Sequence, residues 1–270
     1  MATFLIQKVQ SGLLPEMSHP FYDAIPFLNC LEYRKFLHEK DPDWKPDNFI
    51  YKSFEELTAF DCLAIIPIGT VEFVNKVLIL KGHSELKPLN IPNALMKPEF
   101  VKRKVAYVKG KDNVPALFTN WHRPQLFIKS NSKIKADYTD FYYKNHLDKL
   151  PEDNYLVSEI LPFEAEFRAF VYEDELLDIK QYLGPSSTIN KDFVKQCIKE
   201  YAVDKSKPKA YTLDIGKVYT IAEKQEDSYA VIELHPFISC GLYDFEDTRM
   251  IAMLQAAWAW ALKNTEVYNV

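Results

Sequence analysis

The chain has 270 residues, of which 47% are hydrophobic and 14% aromatic, enough to bury the core of one large domain or of two or three lobes, and this excludes a disordered chain. Its formal net charge of −5 argues against a protein whose work is to coat nucleic acid, and no polybasic arm is present. Only seven glycines occur, without a G-x-x-x-x-G-K-[ST] or G-x-G-x-x-G run, so any nucleotide must be held by side chains rather than by a glycine-rich loop.

In chain order, the opening MATFLIQKVQ contains a strand-like TFLIQKV and lacks a basic segment followed by a long apolar run. No stretch approaches a membrane-spanning length, so a cytoplasmic protein without a membrane partner is expected. A helix-like AIPFLNCLEYRKFLHE and two apolar runs, DCLAIIPIG and VEFVNKVLIL, follow, and the alternation predicts an α/β lobe. Prolines cluster in KPLNIPNALMKPEF, which places a lobe boundary near Pro92. Beyond it come short strands: QLFIKS, then EAEFRAFVY and LLDIKQYLG as a hairpin across EDE, then AYTLDIGKVYT and YAVIELHPF. Two helices are predicted, NKDFVKQCIKEYA and EDTRMIAMLQAAWAWALK, the second with Met250, Ile251, Leu254, Trp258 and Leu262 at core spacing. Cys30, Cys62, Cys197 and Cys240 are spread without a C-x-x-C pair and read as thiols of a reducing compartment.

Several strands carry charges where a core would be expected. In VSEILPFEAEFRAFV, alternation puts Glu164, Glu166, Arg168 and Phe170 on one face and Ala165, Phe167, Ala169 and Val171 on the other. Thr212 and Asp214 share a face of YTLDIG, and Glu233 and His235 share a face of YAVIELHPF. A buried carboxylate must meet a cation, a metal or donors. One Asp and one Glu from neighbouring strands suffice for a hard divalent ion, with Lys129, Lys135, Lys180 and Arg168 as countercharge for a triphosphate. Residues two apart on a strand are ~7 Å from each other, so Glu166 and Arg168 can touch successive parts of one elongated ligand. Other readings stay open: a solvated hairpin face salt-bridged to Lys180, a turn at Asp214, a satisfied half-buried His235, and a structural thiol at Cys240.

The pieces LFIKS, VSEILPFEAEFRAFV, YTLDIG and VIELHPFISCGLYD, with IPIGTVEFV in the first lobe, resemble the ATP-grasp enzymes. Within them they are similar to the clade named for two arginines and one lysine, found in bacteria and their phages. The resemblance spans most of the chain from about Ile66. It implies an α/β and α+β fold, with an N-terminal α/β lobe (1–92) followed by two α+β lobes (93–156 and 157–270) that clasp ATP. It also implies roles. Lys129 would touch the α-phosphate, and Lys135 would lie in a phosphate-covering loop. Glu159, Ile160 and Leu161 would form the hinge at the adenine edge. Glu166 would accept from the ribose hydroxyls, Arg168 would be directed at the γ-phosphate or acyl phosphate, Lys180 would take a phosphate-binding role in catalysis, and Asp214 and Glu233 would hold Mg2+. The family's Glu-x-Asn metal motif is here Glu233-Leu234-His235, which leaves His235 to ligate the metal, to hydrogen-bond a phosphate or to signal altered chemistry. Arg103 and Arg123 both qualify as the second arginine.

The implied activity is ATP- and magnesium-dependent ligation of a small-molecule or peptide carboxylate to an amine through an acyl phosphate. An ATP-binding regulatory module without turnover and an ATP-grasp kinase are the competing expectations. Glu72, Phe73 and the SCGLYD segment could line an acceptor pocket, or be strand and turn. The sequence is silent on oligomeric state.

Overall fold

The computed structural model describes residues 2–10, 18–41, 43, 45–59, 65–219 and 227–267. Cys62 and residues 61–64 of DCLAIIPIG lie outside them. In chain order the elements begin with β1 (Thr3–Gln10), β2 (Ser18–Pro20), α1 (Ile25–Leu37), β3 (Asn48–Lys52), β4 (Ile66–Ile68) and α2 (Val71–Leu80). Next come α3 (Pro98–Val101), β5 (Val105–Lys109), α4 (Val114–Trp121), β6 (Gln125–Ser130), β7 (Asp140–Tyr143) and β8 (Asn154–Ser158). The last are β9 (Phe163–Tyr172), β10 (Glu175–Leu183), α5 (Lys191–Tyr201), β11 (Ala210–Val218), β12 (Tyr229–Pro236) and α6 (Met250–Asn264).

The chain packs as two compact units, one of residues 1–86, 208–211 and 236–270, the other of residues 87–207 and 212–235. In the first, β1 runs parallel to β3 and β4 and antiparallel to β2. Phe4, Leu5 and Ile6 on β1 are fully buried. The run VEFVNKVLIL is a helix: the Thr70 hydroxyl caps it by accepting from Phe73 N–H at 3.3 Å, and Phe73, Val74, Val77 and Leu78 recur on its buried side. Phe73 is therefore core rather than part of a strand and turn, and it cannot line an acceptor pocket. The expected stripe on α6 is present, with Met250, Ile251, Leu254 and Trp258 buried.

The second unit holds two four-stranded sheets, β5-β8-β6-β7 and β10-β9-β11-β12. The first is antiparallel throughout. Its period-two pattern sends Leu126, Ile128, Tyr155 and Val157 into a core with Val114 and Phe118 of α4. Phe127 and Lys129 consequently emerge on the opposite face. The hairpin β9–β10 forms as expected, closed by Glu173 and Asp174, both at positive φ, the twist that a two-residue turn of the I′ kind requires. The strand-like run 157–171 is interrupted: β8 ends at Ser158, β9 starts at Phe163, and residues 159–162 between them are not strand. On β9, Ala165, Phe167, Ala169 and Val171 are buried, as alternation predicts, and so are Arg168 and Phe170. β11 is buried on both faces, from Ala210 to Gly216. That rules out the turn reading of Asp214, which sits mid-strand.

Candidate active site

Within the second unit, the outward face of β6, the 159–162 connection, β9 and β12 surround a cleft of about 200 Å³. Its wall is largely apolar: Phe127 and Phe141, with ring centroids 5.5 Å apart, and Leu156, Ile160, Leu161, Phe163 and Ile232. Polar groups converge on it at a few points, namely Asn90, Arg103, Lys129, Ser158, Glu159, Glu166 and Glu233. An apolar slot with a few placed polar groups is the usual form of a small-molecule site. Gly216 fits this wall: a Cβ there would lie 2.1 Å from the Phe163 ring, so only glycine lets the ring pack flat on β11.

Lys129, alternating with the core residues of β6, hydrogen-bonds Glu233 on β12. Glu233 also lies 3.1 Å from Nε2 of His235. Burial pushes the Glu233 carboxyl up, but His235 and Lys129 outweigh it through charge and hydrogen bonds and hold it far below the usual carboxylate range. Asp214 completes the cluster, since one ligand atom from each of Asp214, Glu233 and His235 lies within 4.8 Å of the others. Asp214 is also gripped from β9, where Arg168 donates from Nε to Oδ1 at 2.8 Å and from a terminal nitrogen to Oδ2 at 2.7 Å. Two carboxylates and an imidazole form a donor set suited to a divalent cation. The Thr212 hydroxyl, fully buried and two residues from Asp214 on the same strand face, finds no partner among the described residues. These residues fit a metal.

Glu166 takes a hydrogen bond from the Tyr182 hydroxyl at 2.7 Å. Tyr182 sits where the β9–β10 register shifts, between Gln181 and Leu183, a bulge that re-aims its side chain. Burial, then the nearby Asp214 and Glu166, raise its phenol far above the ordinary range, so it acts as a donor. Lys180 lies directly across from Arg168 on β10 and shares its face, but its ammonium is 3.0 Å from Asp178 of its own strand. Lys135 is exposed in the β6–β7 connection at φ 54°. The base of that connection is pinned by Asp153, which accepts from the hydroxyls of Ser130, Ser132 and Tyr138.

The 159–161 segment borders the cleft through Glu159, Ile160 and Leu161. The Glu159 side chain is itself engaged, accepting from Lys104 N–H and from Arg123 Nε, each at 2.8 Å. The two candidate second arginines thus separate. Arg123 is 55% exposed and bound to Glu159. Arg103 lines the cleft, donates to the Val101 and Val231 carbonyls at 3.0 and 2.9 Å and lies over the Phe163 ring. Burial lowers its pKa to about 10, which leaves it charged.

Asn90 was not singled out by sequence. It is fully buried at φ 50° and donates from Nδ2 to the Ser130 carbonyl (3.4 Å) and to Asn131 Oδ1 (2.9 Å). Because the Ser130 carbonyl only accepts, the amide nitrogen is fixed on that side. Its Oδ1 is then left in the cleft wall with no partner among the described residues. Phe127, Phe141 and Phe163 were likewise missed. The only signal for the first was its alternation with Leu126 and Ile128.

The model of one ATP-grasp domain family, the second family of the clade named for two arginines and one lysine, matches residues 100–253, more than half of the chain. Among solved structures, the chain is similar to the D-cycloserine synthetase DcsG (TM-score 0.56, 10% identity, 96% of this chain and 100% of that one). It is also similar to the RimK domain protein ATP-grasp from Sphaerobacter thermophilus (TM-score 0.53, 11% identity, 97% and 98%). Against the ATP-grasp ligase PsnB complexed with a minimal precursor, the TM-score is 0.41 at 11% identity, over 62% of this chain, which spans 57% of the length of that ligase. No curated protein matches the chain. Among the described residues, no helix is long and apolar enough to cross a membrane. The match over the cleft-forming strands and the shared architecture lead to one assignment: the chain belongs to the ATP-grasp proteins, in the second family of the two-arginine, one-lysine clade.

Proposed function

We propose that the chain is an ATP- and divalent-metal-dependent ligase that joins a small-molecule or peptide carboxylate to an amine or related nucleophile through an acyl phosphate. The observation that carries this reading is the convergence of Lys129, Arg103, Glu166 and Glu233 on one apolar-walled cleft, Glu233 being also a member of the Asp214–Glu233–His235 cluster. Family membership and the synthetase name of DcsG, a neighbour in fold, support it.

In this reading the adenine lies among Phe127, Phe141, Ile160, Leu161 and Phe163, with the hinge backbone of residues 159–161 at its edge. Glu166 receives the ribose hydroxyls, its carboxylate oriented by Tyr182. Lys129 and Arg103 meet the phosphates, Arg103 as the second arginine, and Lys135 lies in the loop that covers them. Arg168 and Lys180 stand toward the transferred phosphate. When bound, the divalent ion at Asp214, Glu233 and His235 neutralises charge that shifts toward the leaving ADP. Lys129 and Arg168 pair with two of these groups, Glu233 and Asp214.

The test is ADP release measured with ATP, Mg2+ and a panel of carboxylates and amines, with the product mass determined. Release that requires both partners and yields an amide supports ligation. A phosphorylated acceptor that persists without amide identifies a kinase. Tight binding of an ATP analogue with no turnover across the panel identifies a regulatory module.

A further inference from the structure

Glu233 and His235 stand two residues apart on β12 and present Oε1 and Nε2 3.1 Å from each other. With an Asp214 oxygen inside the same 4.8 Å circle, a cation held there receives two oxygen donors and one nitrogen donor. Both carboxylates already face a protein cation, Asp214 meeting Arg168 in a two-point grip and Glu233 meeting Lys129. Two negative charges against two positive ones leave little net field for a divalent ion.

That balance weighs differently on different metals. Magnesium is bound chiefly by charge and by hard oxygen ligands in near-octahedral array, and imidazole adds little. First-row transition ions gain directly from an imidazole nitrogen, increasingly from Mn2+ to Co2+. The imidazole can turn its Nε2 lone pair to a metal when the ring proton sits on Nδ1. An independent feature also points to a ligand at this place: the fully buried Thr212 hydroxyl on the Asp214 face, without a partner among the described residues.

We propose that His235 makes the Asp214–Glu233–His235 cluster a mixed nitrogen and oxygen site that selects a divalent transition metal over magnesium. The proposal rests on the reading that this cluster holds the metal of the bound nucleotide, and it adds which metal. An asparagine at position 235 offers an amide oxygen instead, and with it the selectivity disappears.

The experiment measures metal binding rather than turnover. The full chain, saturated with a non-hydrolysable ATP analogue, is titrated with Mn2+, followed by loss of the free-ion electron paramagnetic resonance signal, and Mg2+ is measured by competition. Wild type and His235→Asn are compared, with His235→Ala as the second variant should the first not fold. The expected result is that His235→Asn weakens Mn2+ about tenfold and leaves Mg2+ within about threefold, collapsing the ratio of the two dissociation constants. A ratio unchanged by both variants overturns the proposal while leaving the metal-nucleotide reading intact. Absence of analogue-dependent metal binding to wild type overturns that reading, and the proposal with it.

Discussion

The Arg168–Asp214 pair ties β9 to β11 with side chains only 9% and 2% exposed and both carboxylate oxygens engaged at 2.8 and 2.7 Å. At such burial, removing one partner leaves the other charge buried without the group it is paired with, at a cost of about 3–5 kcal/mol. Arg168→Met and Asp214→Leu should each lose that much of a total stability on the order of 5–15 kcal/mol. The double variant, which removes both charges and replaces them with apolar volume, should cost well below the sum, a coupling of about 2 kcal/mol or more. Urea unfolding of the four proteins measures it, as shifts in midpoint at an unchanged slope. Single variants that cost less than about 1 kcal/mol, as exposed pairs do, or a double variant equal to the sum of the singles, would refute the reasoning. The cycle also bears on activity: Asp214 is at once a candidate metal ligand and a structural counterion, so loss of turnover in Asp214 variants is interpretable only beside their stability.

Three further outcomes are expected. Lys129→Met should weaken ATP-analogue binding about ten- to a hundredfold, the value of a charge-assisted contact of about 1.5–3 kcal/mol, and calorimetry showing an unchanged Kd would remove Lys129 from the site. Gly216→Ala should push Phe163 out of the cleft wall, costing about 1–3 kcal/mol as an overpacked side chain. In Phe163→Ala that cost should vanish, and thermal melts showing equal penalties in both backgrounds would contradict the packing. Burial raises the Glu159 carboxyl, but hydrogen bonds from Lys104 N–H and Arg123 outweigh it and leave the folded value lowered. Its stabilisation is therefore complete above the unfolded glutamate pKa of about 4.3 and is lost as pH falls through the folded value. Melting points of Glu159→Gln should fall less steeply than wild type below that pH, and parallel curves would show that the carboxylate contributes nothing.

Strand alternation and the family resemblance made part of the site legible. Lys129 was placed by the resemblance that LFIKS carries, and Glu166 with Arg168 by alternation, because Ala165, Phe167 and Ala169 flank them. What stayed hidden are residues whose role is set by partners remote in sequence and not by any local period. Asn90 sits in an irregular proline-rich stretch and is fixed by Ser130, 40 residues on. Arg103 was one of two arginines that sequence could not choose between, and it is turned to the cleft by the Val231 carbonyl, 128 residues away. Gly216 reads as a turn signal after Asp-Ile, yet it is a strand residue made small by the Phe163 ring. GTVEFV was ambiguous for another reason: a short apolar run suits strand and helix alike, and only the Thr70 cap with burial on one side decides for α2.

The most direct test of the account is a crystal structure of the chain with a non-hydrolysable ATP analogue and Mn2+, the ion located by its anomalous scattering. The account predicts the ion bound by Asp214, Glu233 and His235, the triphosphate beside Lys129 and Arg103, and the base against Ile160 and Leu161. An ion bound elsewhere, or a nucleotide that leaves this cleft empty, would contradict it.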